Sequence, residues 1–345
     1  MGNKFSGKDW FQHSLGFKNP SQSLLRFRNP VLELEHLERR VVPATLLVTN
    51  TNDSGTGSLR AAITQANLDT IADTIQFAIN GGTGFNTISL QSTLPSVVSP
   101  IIIDGTSQAG YGANTLSVGG GNNSTIQIVL DGAGLTGNSP GLEFTSTASG
   151  SEVNGLSFIN LPVGIKSNAS NMSITGNYFG VKPDGNLQTS KMGTGVDISG
   201  VNGGSIGGIG AAQQNLFGNL NTGVIVSGGQ NVIIVGNRFG VGQSNTVFAG
   251  NNTGVYVTSL GANSVAFGHG INGNLFGKNG IAIGLSGVNG ATGLVQSTSI
   301  LSNLIGTNAK NSAVSGQWFG YIDHGFCYGQ PDWFIHSAKF DCFFS

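Results

Sequence analysis

Three aspartates, Asp104, Asp131 and Asp197, have the settings in this 345-residue chain that best suit chemistry. Asp104 and Asp131 each end a wholly apolar run and precede a glycine, in Ile101-Ile102-Ile103-Asp104-Gly105 and Ile128-Val129-Leu130-Asp131-Gly132. Each carboxylate therefore stands at a strand end, where it could hold calcium or a sugar hydroxyl. The plainer role is an Asx turn that closes the strand. Asp197 is the middle residue of Val196-Asp197-Ile198, and strand alternation sends it outward. A calcium-dependent lyase needs several carboxylates around a hard cation, with a cationic base near the substrate carbon. A glycosidase needs two carboxylates close enough to act on one bond. From 141 to 311 the acids are Glu143, Glu152, Asp184 and Asp197, and the bases are Lys166, Lys182, Lys191, Arg238, Lys278 and Lys310. Neither constellation recurs at equivalent positions, so no catalytic residue is assigned. Calcium is the one cofactor these acids suggest.

Other chemistries find less support. The glycines are spread along the chain, with no Lys-Ser/Thr after a strand to cradle a phosphate. Five histidines are scattered, and the net charge is −1 with no basic stripe, which argues against nucleic acid. No apolar run is long enough to span a membrane.

The elements that must position these residues are repeats. Gly176-Asn177-Tyr178-Phe179-Gly180, Gly236-Asn237-Arg238-Phe239-Gly240 and Gly273-Asn274-Leu275-Phe276-Gly277 are copies of one unit. Gln214-Asn215-Leu216-Phe217-Gly218 and Ser302-Asn303-Leu304-Ile305-Gly306 are weaker copies. A second unit, glycine followed by an apolar-x-apolar triplet, begins at 141, 164, 195, 223, 254 and 280. This spacing marks a solenoid. With 56 glycines, 9% charged residues and a period of two, the repeats read as short stacked strands rather than helices. Stacking places Phe179, Phe217, Phe239, Phe276 and Ile305 one above another inside the coils, at the strand-pairing distance. It lets Asn177, Asn215, Asn237, Asn274 and Asn303 form a ladder of amides, and each asparagine is expected to take the left-handed corner conformation.

Both repeated units resemble the parallel β-helix repeats of the pectate-lyase-like superfamily, over about 46 to 311. The resemblance implies an all-β fold: a right-handed, single-stranded parallel β-helix with roughly three short strands per coil. This architecture serves lyases, hydrolases, epimerases and adhesins alike. Gly57-Ser58-Leu59-Arg60-Ala61-Ala62-Ile63-Thr64-Gln65-Ala66-Asn67 reads as a helix with Ser58 as N-cap. Leu59, Ala62, Ile63 and Ala66 form its apolar face, and Arg60 suits a structural ion pair. The stretch resembles the Ser-Leu-Arg-x-Ala-Ile motif that opens bacterial β-helix surface proteins, so it is expected to cap the open first coil.

The two ends differ from the repeats. Residues 1–30 carry five Lys/Arg against Asp9 alone, without the apolar core of a secretory signal. Leu34-Glu35-x-Leu37-Glu38-x-Arg40-x-x-Pro43-Ala44 resembles a leader signature of planctomycete surface and secreted proteins, which implies the cell envelope or an extracellular location. After Asn311 the periodicity stops. Cys327, Cys342, His324 and His336 lie there. They suit a disulfide-stapled cap, a metal site of non-standard spacing, or, as the preferred reading, a tail from a shifted frame or an early stop.

The expected organisation is a poorly ordered leader over 1–45, cap and first coils over 46–140, regular repeats over 141–311 and an atypical tail over 312–345. The expected function is a non-catalytic surface or secreted protein, structural or adhesive, whose Thr, Ser and Asn faces meet polysaccharide or envelope components. The alternatives are a polysaccharide lyase, epimerase or hydrolase acting near those aspartates, and an inactive gene fragment.

Overall fold

The computed structural model describes residues 42–80, 84–244, 249–261, 264–287 and 294–306, together with the backbone of three short strands, Ile322–Asp323, Cys327–Tyr328 and Phe340–Cys342. The leader through residue 41, most of the tail, and the disulfide and metal readings of its side chains lie outside the described residues.

The chain visits three sheets in turn, again and again. The first sheet stacks Thr45–Val48, Asp73–Phe77, Ile101–Asp104, Glu152–Asn154, Ser173–Thr175, Ser205–Gly207, Ile233–Val235, Gly270–Asn272 and Ser299–Leu301, all parallel. The second runs from Asn86–Ser89 and Ile128–Asp131 up to Leu304–Ile305. The third runs from Pro140–Phe144 through Met192–Ser199, Leu220–Ser227, Asn251–Thr258 and Asn279–Ser286 to Ile322–Asp323. The fold is thus an all-β stack of parallel strands, a parallel solenoid. The nine parallel strands of the first sheet make eight steps of ~4.8 Å, about 38 Å of axis. Phe340–Cys342 and Cys327–Tyr328 then extend that sheet antiparallel, with Cys327 in register with Cys342.

Every step of the interior is in register, because a slip of one residue would turn each apolar side chain to solvent. Ile75, Ile103, Val153, Ile174, Ile206, Ile234, Ile271 and Ile300 form one column of the first sheet. Phe158, Phe179, Phe217, Phe239 and Phe276 stack from the second, with centroids 4.7 to 4.9 Å apart and planes within 9° of parallel. Ile305 follows Phe276 in register. The two repeated units prove to be one packing unit. A Cβ on Gly195, Gly223 or Gly254 would lie 2.8 Å from the next coil's Phe217, Phe239 or Phe276 ring, so the triplet glycine is the seat of that phenylalanine.

Two expectations about the repeats need correction. The ladder asparagines are not the left-handed residues. Gly176, Gly236, Gly273 and Ser302 before them take positive φ, and the asparagines that do so are Asn160, Asn171, Asn219 and Asn231 at other corners. The last triplet also starts two residues late. Val255 pairs with Ile283, so the repeat there is Ala282-Ile283-Gly284-Leu285 rather than Gly280 onward. A second amide bond, Asn251 Nδ2 to Asn279 Oδ1 at 2.9 Å, sets that register. Ala282 can occupy the glycine position because the next residue in the ring column is Ile305, smaller than phenylalanine.

The helix Leu59–Ala66 forms as expected. Ser58 Oγ accepts from Ala61 N–H, and Leu59, Ala62, Ile63 and Ala66 are buried. Arg60 reaches Asp53 at 2.8 Å and also donates to the carbonyls of Ser92 and Thr93, tying the helix to the loop below the second sheet.

Candidate functional site

The three aspartates stand on three different sheets, so the fold does not gather them. Asp104 ends a first-sheet strand, where its Oδ1 accepts from Thr106 N–H at 3.0 Å and from the Thr106 hydroxyl. Asp131 ends a second-sheet strand and accepts from Ala133 N–H at 3.0 Å and Asn160 Nδ2 at 2.8 Å. Both carboxylates form Asx turns. Asp184 does the same with Asn186. Among the described residues, no group of three or more His, Cys, Asp or Glu side chains comes together where a metal could sit.

Asp197 is placed differently. On the outer face of the third sheet, Glu143, Lys166, Asp197, Ile225, Tyr256 and Gly284 form one column, one residue per coil. Lys166 Nζ lies 2.9 Å from Glu143 Oε1, and Ser96 donates to the other oxygen. The hydrogen bond from Lys166 holds Glu143 below its ordinary pKa, and the same bond holds Lys166 above its own. Burial pushes Asp197 up, opposed by the charge of Lys166 and a hydrogen bond from Ser199. Above this charged end the column itself, Ile225, Tyr256 and Gly284, is neutral, and the Lys191 ammonium reaches Asn252 to its side. Ser199, Ser227, Thr258 and Ser286 form a hydroxyl column on one side of Ile225 and Tyr256, and Thr194, Thr222 and Thr253 form another on the other. The Tyr256 ring lies against Gly284, where a Cβ would come within 2.8 Å of it.

The ladder asparagines are structural, as their repetition implies. Nδ2 of each donates to Oδ1 of the next: Asn177 to Asn215 at 3.3 Å, Asn215 to Asn237 at 2.9 Å, Asn237 to Asn274 at 3.1 Å and Asn274 to Asn303 at 3.0 Å. The other amide hydrogen of Asn177 goes to the Val153 carbonyl one coil back.

Sequence reasoning missed a polar cluster on the outside of the second sheet. The variable residue of each Gly-Asn-x-Phe-Gly unit, Tyr178, Leu216, Arg238 or Leu275, is fully buried. A hairpin over residues 112–125 covers this face. The Tyr178 hydroxyl bonds Asn122 Oδ1 and Ser124 Oγ at 2.8 Å each and accepts from Gln243 Nε2 at 2.9 Å. Burial raises the pKa of Tyr178 and lowers that of Arg238 to about 10. The available signal was apolar Leu216 and Leu275 at a position alternation sends outward, which requires a cover. His269, also buried, accepts from Val232 N–H at Nδ1, and burial depresses its pKa to about 4.

No helix among the described residues is long and apolar enough to cross a membrane. No protein-family model matches the chain, and no curated protein matches it. One solved structure it matches is ORF18 of Geobacillus virus E2, at 12% identity and a TM-score of 0.29. That alignment covers 81% of this chain and 62% of the viral one, so the chain spans under two thirds of the viral protein's length. At that TM-score the match carries no argument about fold or function.

Proposed function

We propose that the chain is a non-catalytic β-helix protein of the cell surface or extracellular space, structural or adhesive in role, whose third-sheet face contacts glycans. The observation that carries this reading is the neutral strip of Ile225 and Tyr256 between two in-register hydroxyl columns. Hydroxyls and an aromatic ring on a regular face complement an extended neutral sugar polymer, which offers hydroxyls and apolar ring faces in return. Export is inferred from the leader resemblance, and membership of the pectate-lyase-like superfamily from the repeats. The right-handed turn of the coils follows from the preference of parallel crossovers, about 98% of which are right-handed; a crystal structure of the opposite hand would overturn it.

A second reading, a polysaccharide lyase, epimerase or hydrolase, draws on Glu143 and Asp197. These flank Lys166 on one face, two strand steps or about 9.6 Å apart along the backbone. Incubating the full chain with immobilised neutral and acidic polysaccharides, with and without calcium, separates the readings. Retention without cleavage, weakened by Tyr256→Ala, is the expected result. Cleavage abolished by Asp197→Asn would make the protein an enzyme, and neither retention nor cleavage would leave a scaffold or an inactive fragment.

A further inference from the structure

In a solenoid each coil touches only its neighbours, so stability is a sum of local terms and coils can fray one at a time from an open end. The hairpin over 112–125 breaks that rule. It leaves the coil between the first-sheet strand Ile101–Asp104 and the second-sheet strand Ile128–Asp131. Its arms are pinned by reciprocal backbone bonds between Gly112 and Thr125, and by Asn114, whose Oδ1 accepts from Leu116 and Asn123 N–H. Thr115 and Asn123 close the next rung.

From there the hairpin climbs the outside of the second sheet. Asn114 Nδ2 donates to the Ala211 carbonyl at 2.9 Å, and Gln214 Nε2 donates to the Leu116 carbonyl at 2.8 Å. Arg238 donates to the Val118 carbonyl, and Asn122 N–H to the Gln243 carbonyl at 2.9 Å. Strands 156–159, 178–179 and 216–217 stand between the hairpin's own strand and Arg238–Phe239. The reach is four strand steps, about 19 Å. The buried carriers of these ties, Asn114, Asn122, Ser124, Tyr178, Gln214 and Arg238, are otherwise unexplained in a face of the solenoid that alternation would leave to solvent.

We propose that this hairpin is an axial clamp, which joins the coils from 101 to 258 into one opening unit and prevents the upper coils from unzipping singly. Opening the coil of Ile233–Val235, Arg238–Phe239 and Asn251–Thr258 requires breaking bonds to a segment anchored four levels below, so those levels open together. The clamp is independent of what the third-sheet face binds.

Hydrogen exchange followed by mass spectrometry on the full chain tests this. In the unaltered protein, amides of the second-sheet strands from 128–131 to 238–239 should share one protection factor, set by a common opening. Asn114→Ala and, separately, Gln214→Leu should uncouple them: exchange in the coils from 205 to 258 rises about tenfold, from loss of the tie to the Ala211 carbonyl or to the Leu116 carbonyl, while the coils from 128 to 167 change little. Gln214→Leu keeps the bulk of the side chain and guards against a folding defect. If protection is already graded coil by coil in the unaltered protein, or if both variants loosen only residues 112–125, the hairpin is a passive cover and the proposal is wrong.

Discussion

His269 sits inside the corner column between Val232 and Thr298, and its imidazole can stay there only while neutral. Folded, it titrates at about 4 against an ordinary 6.5, so between those values the unfolded chain binds more protons. Stability is therefore full above about pH 6.5 and declines as the pH falls toward 4, by about 3 kcal/mol in all. Urea midpoints taken from pH 7 to pH 4 should show this slope, and His269→Gln should flatten it; an equal slope in the variant would assign the effect to carboxylates. The ladder has no charge to titrate and depends on pairing instead. Asn237→Ala leaves the N–H and Nδ2 of Asn215 and the Ile206 carbonyl without their partner. A loss of about 3 kcal/mol in denaturant unfolding is expected, since each orphaned buried group costs 1–3 kcal/mol. A loss below about 1 kcal/mol would show that the ladder contributes little.

At the scale of the element, the strand and the ring are interdependent. Gly223 lies 2.8 Å, measured from where its Cβ would be, from the Phe239 ring, and 2.5 Å from the Gly254 carbonyl. Gly223→Ala should cost about 2 kcal/mol or more through overpacking, because the backbone oxygen cannot rotate away. Phe239→Leu in the same chain should recover only part of that loss, since it relieves the ring contact and leaves the carbonyl contact. A double-mutant cycle reads the coupling directly, and strict additivity would mean that the two do not pack as one unit. The asparagine of the second corner acts on a longer range, because Asn251 bonded to Asn279 fixes the register that sets Val255 against Ile283.

For the whole body, the distribution of charge matters more than its sum. The net charge is −1, and in the third-sheet column from Glu143 to Gly284 the ionic groups Glu143, Lys166 and Asp197 stand together at one end, while Lys191 reaches Asn252 beside the threonine column and Asp323 follows Ser286 at the far end. Adhesion through Ile225, Tyr256 and the hydroxyl columns should therefore persist at about 1 M salt, where the screening length is ~3 Å. Retention that disappears in salt would place the contact on the Glu143–Lys166–Asp197 end instead. The hairpin acts at this same scale, since it makes a stack of neighbours behave as a single piece.

The stacked phenylalanines, the asparagine ladder and the capping helix with Ser58 and Arg60 were legible in the sequence. Each rests on local periodicity: a residue type recurring once per coil must meet its own copy when parallel strands stack one strand-spacing apart. Local pattern could not determine the axial register of the last triplet, where a slip of two residues keeps the same side chains inward, and only Asn251 meeting Asn279 resolved it. Nor could it show that Asp104, Asp131 and Asp197 would lie on three separate faces, because direction around the axis depends on corner lengths that vary from coil to coil. The clamp is the furthest from sequence of all. Asn114 and Gln214 are about a hundred residues apart, and their roles exist only because three turns of the solenoid bring one arm of the hairpin beside a distant coil.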